Sequence, residues 1–183
     1  MPVIGSGEAE LAGVLKVAEL MAVAARTAPK ARGVDTIKVA VVHGPELEEI
    51  AAEMEKVFEE TGLHFFKRDA DCIRRSLALV LVGAVGSRPR GLNCGACGFP
   101  TCEEFEKARA SSDLLGPNCV MAMLDLGIAV GSAVKVAADL NVDNRIMYTV
   151  GVAARRLRLL EADMILGIPL SATGKNIYFD RKV

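Results

Sequence analysis

The chain has 183 residues, 51% of them apolar, which is enough to bury the core of one domain or of one domain with a small lobe and excludes a disordered polymer. Its 22 Lys and Arg stand against 23 Asp and Glu, a formal charge of -1, so no general electrostatic attraction to nucleic acid or to an anionic membrane is expected. The start MPVIGSGEAE is acidic, with neither a basic leader nor an apolar signal core, and the expectation is a cytoplasmic chain whose thiols stay reduced.

In chain order, residues 8–27 read as a helix, with Leu11, Val14, Leu15, Ala18 and Met21 at helical spacing and Pro29 closing it. A basic loop, Lys30 to Gly33, leads into TIKVAVV (36–42), a β-branched strand. Pro45 and the acidic run after it open a helix to about Thr61. Residues 63–66 read as a short strand and 69–75 as a turn or short helix. LALVLVGAV (77–85) reads as a buried strand, too short to span a bilayer, which takes about 20 residues. A loop rich in Gly, Pro and Arg follows, then a short helix from Cys102 to about Ala110 and a long one from Cys119 to about Leu140. The long helix has the length of a membrane span, but Asp125, Lys135 and Asp139 favour a buried helix of a soluble fold, and no membrane partner is expected. Asp143 or Asn144 is the expected cap of a further helix ending near Leu160, and 164–168 the last strand. In the polar tail Ile177, Tyr178 and Phe179 need a surface to cover them, and Asp180 and Arg181 could form a surface ion pair. Long helices interleaved with three or four strands predict an α+β three-layer sandwich.

The chemistry is concentrated in CGACGFPTC and GPNC. Cys94, Cys97 and Cys102 stand in the spacing C-x2-C-x4-C, and Cys119 follows after sixteen residues. A compact loop can turn three thiolates toward one 4Fe-4S core while a fourth approaches from the next helix, and Gly95 and Gly98 allow the backbone to wrap it. Ordinary buried thiols and a disulfide framework both fit this pattern poorly. Structural zinc is the serious rival, since C-x2-C also begins four-cysteine zinc sites, although those usually repeat the short pair. Cys72 stands apart and reads as a core thiol.

The stretch CGACGFPTCEEFEKARASSDLLGPNC resembles the iron-sulfur module of corrinoid iron-sulfur proteins and of the ferredoxin-like subunit of ion-pumping electron-transfer complexes. The resemblance implies that Cys94, Cys97, Cys102 and Cys119 bind one 4Fe-4S cluster, and Phe105 sits where that module usually has Phe or Tyr. Over its full length, down to GIPLSATGKNIYFDR (167–181), the chain resembles an uncharacterised family of ferredoxin-domain proteins from anaerobic bacteria and archaea, which implies an anaerobic setting. The remainder is similar to the nitroreductase fold in AARTAP (24–29), the basic loop, MLDLGIAVGSAVKVAADL and the strand leading to GIPL. That similarity implies FMN at a homodimer interface, with Arg26, Lys30, Arg32 and Lys175 as the cations by position for its phosphate; the Arg-rich start usual in that fold is absent. The residues by themselves favour a solvated loop beside a helix C-terminus for Arg26, Lys30 and Arg32.

The organisation expected is therefore an α/β body over 1–87, a 4Fe-4S module over 88–120, and the helical and C-terminal strand half of the same body over 121–183. His43, His64, Ser87, Ser171 and Thr173 show no catalytic arrangement. Three functions stay open. One is a cluster exchanging electrons with a redox partner protein or a small-molecule acceptor, the second a flavin oxidoreductase with an auxiliary cluster, and the third a structural four-cysteine metal module.

Overall fold

The computed structural model describes residues 3–108, 110–111 and 114–179, excluding the side chains of Ala110 and Ser111; the expected Asp180–Arg181 pair lies outside the described residues. The helices are α1 (Ser6–Thr27), α2 (Glu46–Thr61), α3 (His64–Arg74), α4 (Cys102–Lys107), α5 (Val120–Asp139) and α6 (Tyr148–Arg156). The strands are β1 (Ile37–His43), β2 (Ala78–Ala84), the short pair β3 (Ala110–Ser111) and β4 (Leu115–Gly116), then β5 (Asp143–Asn144) and β6 (Met164–Ser171).

Four strands form an antiparallel sheet in the order β1-β2-β6-β5. Every residue of β2 is buried, because alternate side chains enter different cores. Ala78, Val80, Val82 and Ala84 join the core under α1 and α5, while Leu79 and Leu81 join the core under α2, α3 and α6. A continuous apolar run is the sequence of a strand covered on both faces, and the result is the expected three-layer α+β sandwich. In α5 the buried stripe includes Ala129, Ala133 and Ala137, small residues that let α1 and the sheet approach closely. By length and composition α5 is the one helix among the described residues that could cross a membrane; here its apolar stripe is packed in the core.

Three local readings of the sequence are corrected. The short strand at 63–66 and the turn after it are one helix, α3. Gly62 ends α2 in the left-handed conformation, and Phe66, Asp69, Ala70, Cys72 and Ile73 then bury one helical face against α2 and α6. Asp143 and Asn144 do not cap a helix; they pair with Ser171 and Leu170 as β5, and α6 starts only at Tyr148. The last strand does not stop at Ile168 but continues through Pro169 to Ser171. Gly167 exchanges backbone hydrogen bonds with Met147 at 2.8 and 2.9 Å, so by alternation Pro169 faces that same edge and its missing N–H breaks no bond to β2.

The tail is tied down where the sequence asked for cover. Tyr178 is buried, its hydroxyl 2.9 Å from Ser76 Oγ, and its N–H donates to Asn176 Oδ1. Phe179 stays exposed, with Arg145 stacked over its ring. Burial pushes the Tyr178 phenol above its ordinary pKa, against the opposing hydrogen bond from Ser76. A raised folded-state pKa means stability that is complete below about pH 10 and declines as pH rises above it. Tyr178→Phe is expected to cost about 1 kcal/mol at neutral pH and to flatten the loss of stability above pH 10, read by denaturant titrations across that range.

Helix α6 lies directly on β6. A Cβ on Gly151 would stand 1.8 Å from the Ile165 carbonyl oxygen. Gly→Ala inside a helix normally stabilises by up to about 1 kcal/mol, so the sign is diagnostic: Gly151→Ala is expected to lower stability by about 1–3 kcal/mol in the same assay.

Candidate metal centre

Between β2 and α5 the chain makes an excursion whose two ends meet. Cys119 N–H donates to Gly86 O at 2.8 Å, joining the residue that begins α5 to the chain just leaving β2. Asp163 closes the same neck, its carboxylate accepting from Ser87 N–H at 2.7 Å and its carbonyl from Leu115 N–H at 3.1 Å. Asn118 packs so tightly on Gly86 that a Cβ there would lie 2.0 Å from Asn118 Oδ1.

Within the excursion, local turns present the cysteines. Gly98 N–H donates to Gly95 O at 2.9 Å, and Gly95 and Gly98 have φ of +70° and +87°. Neither would crowd anything with a Cβ, so the positive φ is what demands glycine. This turn carries Cys97 and follows Cys94. Asn93, itself left-handed, accepts the N–H of Cys102 on its side-chain oxygen at 2.8 Å. Thr101 caps α4 by accepting Glu104 N–H and donating its hydroxyl to the Glu104 carboxylate, which fixes Cys102 as the first residue of that helix. Cys119 occupies the N-cap of the 20-residue α5.

Cys94, Cys97, Cys102 and Cys119 line a single concavity together with Arg90, Leu92, Phe99 and Met121. Its inner side is apolar. Phe105, Cys119 and Ala122 form a buried cluster with Cys97, Phe99, Met121 and Met123 against it, and Phe99 meets Phe105 edge-on at 5.9 Å. Cys94 is exposed on the outer side. Among the described residues no three Cys, His, Asp or Glu side chains are placed to share one metal ion. Four thiolates on one zinc would sit about 3.8 Å apart, as 2.3 Å bonds in a tetrahedron require, whereas a 4Fe-4S core gives each thiolate its own iron and holds them wider. Cys72 lies elsewhere, buried between α3 and the sheet, and burial pushes its thiol pKa up, as suits an inert core cysteine.

Beneath the cysteines is a pair that sequence reasoning did not single out. Arg90 and Asp125 are 2% and 3% exposed, and Arg90 Nη2 donates to Asp125 Oδ2 at 2.7 Å and to Thr36 Oγ1 at 2.9 Å. The other Asp125 oxygen accepts Ala31 N–H at 2.9 Å, and Arg90 O accepts from Arg32 Nη1 at 2.7 Å. The network therefore ties the excursion to the loop after α1 and to α5. A signal existed: an aspartate within MAMLDLGIAV, on the buried face of an apolar helix, requires a cation.

The cations proposed for a flavin phosphate do not assemble within one chain. Arg26 pairs with Asp35, holding that carboxyl below its usual range, and also donates to Ile37 O. Lys30 donates to Arg26 O and Ala28 O at the end of α1, at 2.6 and 2.8 Å. Arg32 donates to Arg90 O. These three stand at the Ile37–Ala84–Met164 end of the sheet, whereas Lys175 follows Ser171, at the opposite end, about 20 Å away by strand rise. The donor set of a single chain thus does not fit an FMN phosphate.

The comparisons with known proteins bear on this site directly. The family model "Uncharacterized protein containing a ferredoxin domain (DUF2148)" matches residues 115–181, and "Putative Fe-S cluster" matches 90–114, the segment holding Cys94, Cys97 and Cys102. An uncharacterised protein of Archaeoglobus fulgidus is 54% identical over 170 residues, 92% of each chain. The chain belongs to this ferredoxin-domain family. It is accordingly a redox protein with an iron-sulfur cofactor. Its fold is nitroreductase-like. The nitroreductase CinD of Lactococcus lactis in complex with chloramphenicol superposes with a TM-score of 0.58 at 14% identity, over 88% of this chain and 79% of that one. A nitroreductase with bound FMN from Desulfitobacterium hafniense gives 0.52 at 17% identity, over 87% and 78%. At such identities the fold is what is shared.

Removing one member of a buried ion pair leaves the other uncompensated. Asp125→Ala is expected to cost about 3–5 kcal/mol, and the paired change Arg90→Met with Asp125→Leu less than that, as measured by chemical denaturation of the three proteins.

Proposed function

We propose that this protein is a 4Fe-4S electron-transfer protein, in which Cys94, Cys97, Cys102 and Cys119 each bind one iron. The observation that carries the reading is that all four line one concavity although they come from a turn, the start of α4 and the cap of α5. A 4Fe-4S cluster there supplies one-electron chemistry. The chain's own groups do the rest: Phe99, Phe105, Met121 and Met123 exclude water from the inner side, and the start of α5 supplies a favourable dipole for the negative charge of the thiolates. The exposed edge at Cys94 is the side on which a redox partner protein or small-molecule acceptor would approach. Residues 88–120 form the inserted cluster unit, and 1–87 with 121–183 the body that carries it. The free cysteines and the cluster chemistry suit a reducing, anaerobic cytoplasm.

Leu20 and Val23 of α1 and Leu124 and Ile128 of α5 are exposed on two helices that pack on each other, and apolar side chains left open in this layer support pairing with a second copy. A flavin oxidoreductase with an auxiliary cluster is the second reading, supported by the fold; its phosphate site would need groups from beyond a single chain. Anaerobically prepared protein is expected to contain about four irons and four sulfides per chain with broad visible absorption. Cys102→Ser is expected to lose that absorption and Cys72→Ser to keep it. Stoichiometric zinc without sulfide would overturn the reading, and equal loss in both variants would overturn the choice of ligands.

A further inference from the structure

Each terminal nitrogen of the Arg90 guanidinium is hydrogen-bonded, and Nε is the one guanidinium nitrogen without a partner among the described residues. Nη2 uses both its hydrogens, on Thr36 Oγ1 and Asp125 Oδ2, and Nη1 donates to Arg88 O at 2.9 Å. Nε is buried and has no hydrogen-bond partner among the described residues. A charged donor left bare in an apolar interior is costly, and native structures rarely tolerate one without a reason. Arg90 is also a wall residue of the concavity that the four cysteines line. The group that would occupy that concavity is rich in sulfur and, with four thiolates, carries net negative charge.

We propose that Arg90 donates its Nε–H to a sulfur of the cluster, inorganic or cysteinyl, and thereby helps to set the cluster's reduction potential, with Asp125 and Thr36 as positioning residues that fix the guanidinium. The inference rests on the 4Fe-4S reading. Adding one electron to the cluster increases negative charge on its sulfurs, so a cationic donor stabilises the reduced form more than the oxidised one and raises the potential. The Asp125 carboxylate, itself buried beside the site, acts in the opposite direction through its charge. Arg32 is tied to the same point by its hydrogen bond to the Arg90 carbonyl.

The opposed signs make the test. In redox titrations of the cluster-loaded full-length protein, Arg90→Gln is expected to shift the potential negative and Asp125→Asn to shift it positive. A residue that merely packs the neck would leave both unchanged or move both the same way, and either result overturns the proposal. Arg90→Lys keeps a cation for Asp125 and is expected to load with cluster even if Arg90→Gln fails to fold, giving a smaller negative shift. In protein labelled with 15N-arginine, pulsed electron paramagnetic resonance of the reduced cluster is expected to show a nitrogen coupling that Arg90→Lys abolishes; a coupling that survives overturns the assignment. Iron and sulfide analysis of the unmutated protein separates the two levels, because absence of sulfide there removes the cluster reading itself, whereas a loaded cluster indifferent to Arg90 removes only this inference.

Discussion

The buried contact between Arg90 and Asp125 is where the two parts of the molecule become one. Arg90 belongs to the excursion that carries the cysteines, and Asp125 to the helix that fills one layer of the sandwich. Two charges removed from water in this way are tolerated only when each is bonded on several sides, and the bonds to Thr36, Ala31 and Arg88 meet that condition while reaching the neighbouring loop and the foot of the excursion itself. The position of Cys119 is fixed by the same helix, about 1.7 turns before Asp125. The placement of the cysteines and the packing of the core are therefore not separable here: a shift of α5 would displace Cys119 and the Asp125 carboxylate together.

The layered architecture follows from one strand. Because β2 sends four small or β-branched residues to one side and two leucines to the other, it must be covered twice, and the helices divide accordingly. That much was legible in LALVLVGAV and in the long helical periods of 8–27 and 119–140. What was not legible depended on partners distant in sequence. The helix at His64 was obscured by aromatic residues that favour strands locally, and its burying face has meaning only once α2 and α6 are in place. Asp143 and Asn144 have good capping chemistry, but pairing with the end of β6 prevailed. Pro169 looked like a stop, yet on that edge of the strand a missing N–H breaks no bond to β2.

The candidate site divides in the same way. The four cysteines were recognisable because their spacing and glycines are local properties of a short loop, and the structure places all four around one concavity. The buried cation beneath them was not, since Arg90 sits in a run of Arg, Pro and Gly that reads as a solvated loop, and only its distant aspartate shows otherwise. The basic residues near 26–32 were candidates by charge and by their position in the nitroreductase resemblance. Their bonds show what local charge cannot: Lys30 terminates a helix, Arg26 braces a turn, and Arg32 holds the foot of the excursion.

The hydrogen bond between Cys119 N–H and Gly86 O brings together the points where the chain departs from the sheet and rejoins it. A segment with adjoining ends imposes little on its host, because its loop closure is already achieved by the scaffold whatever its length. A change of length within the segment is expected to leave the sandwich beneath it standing. The sandwich it departs from has the fold of nitroreductases that share 14% identity with this chain, and the segment is held to that sandwich through Arg90 on Asp125 and through Cys119 at the cap of α5.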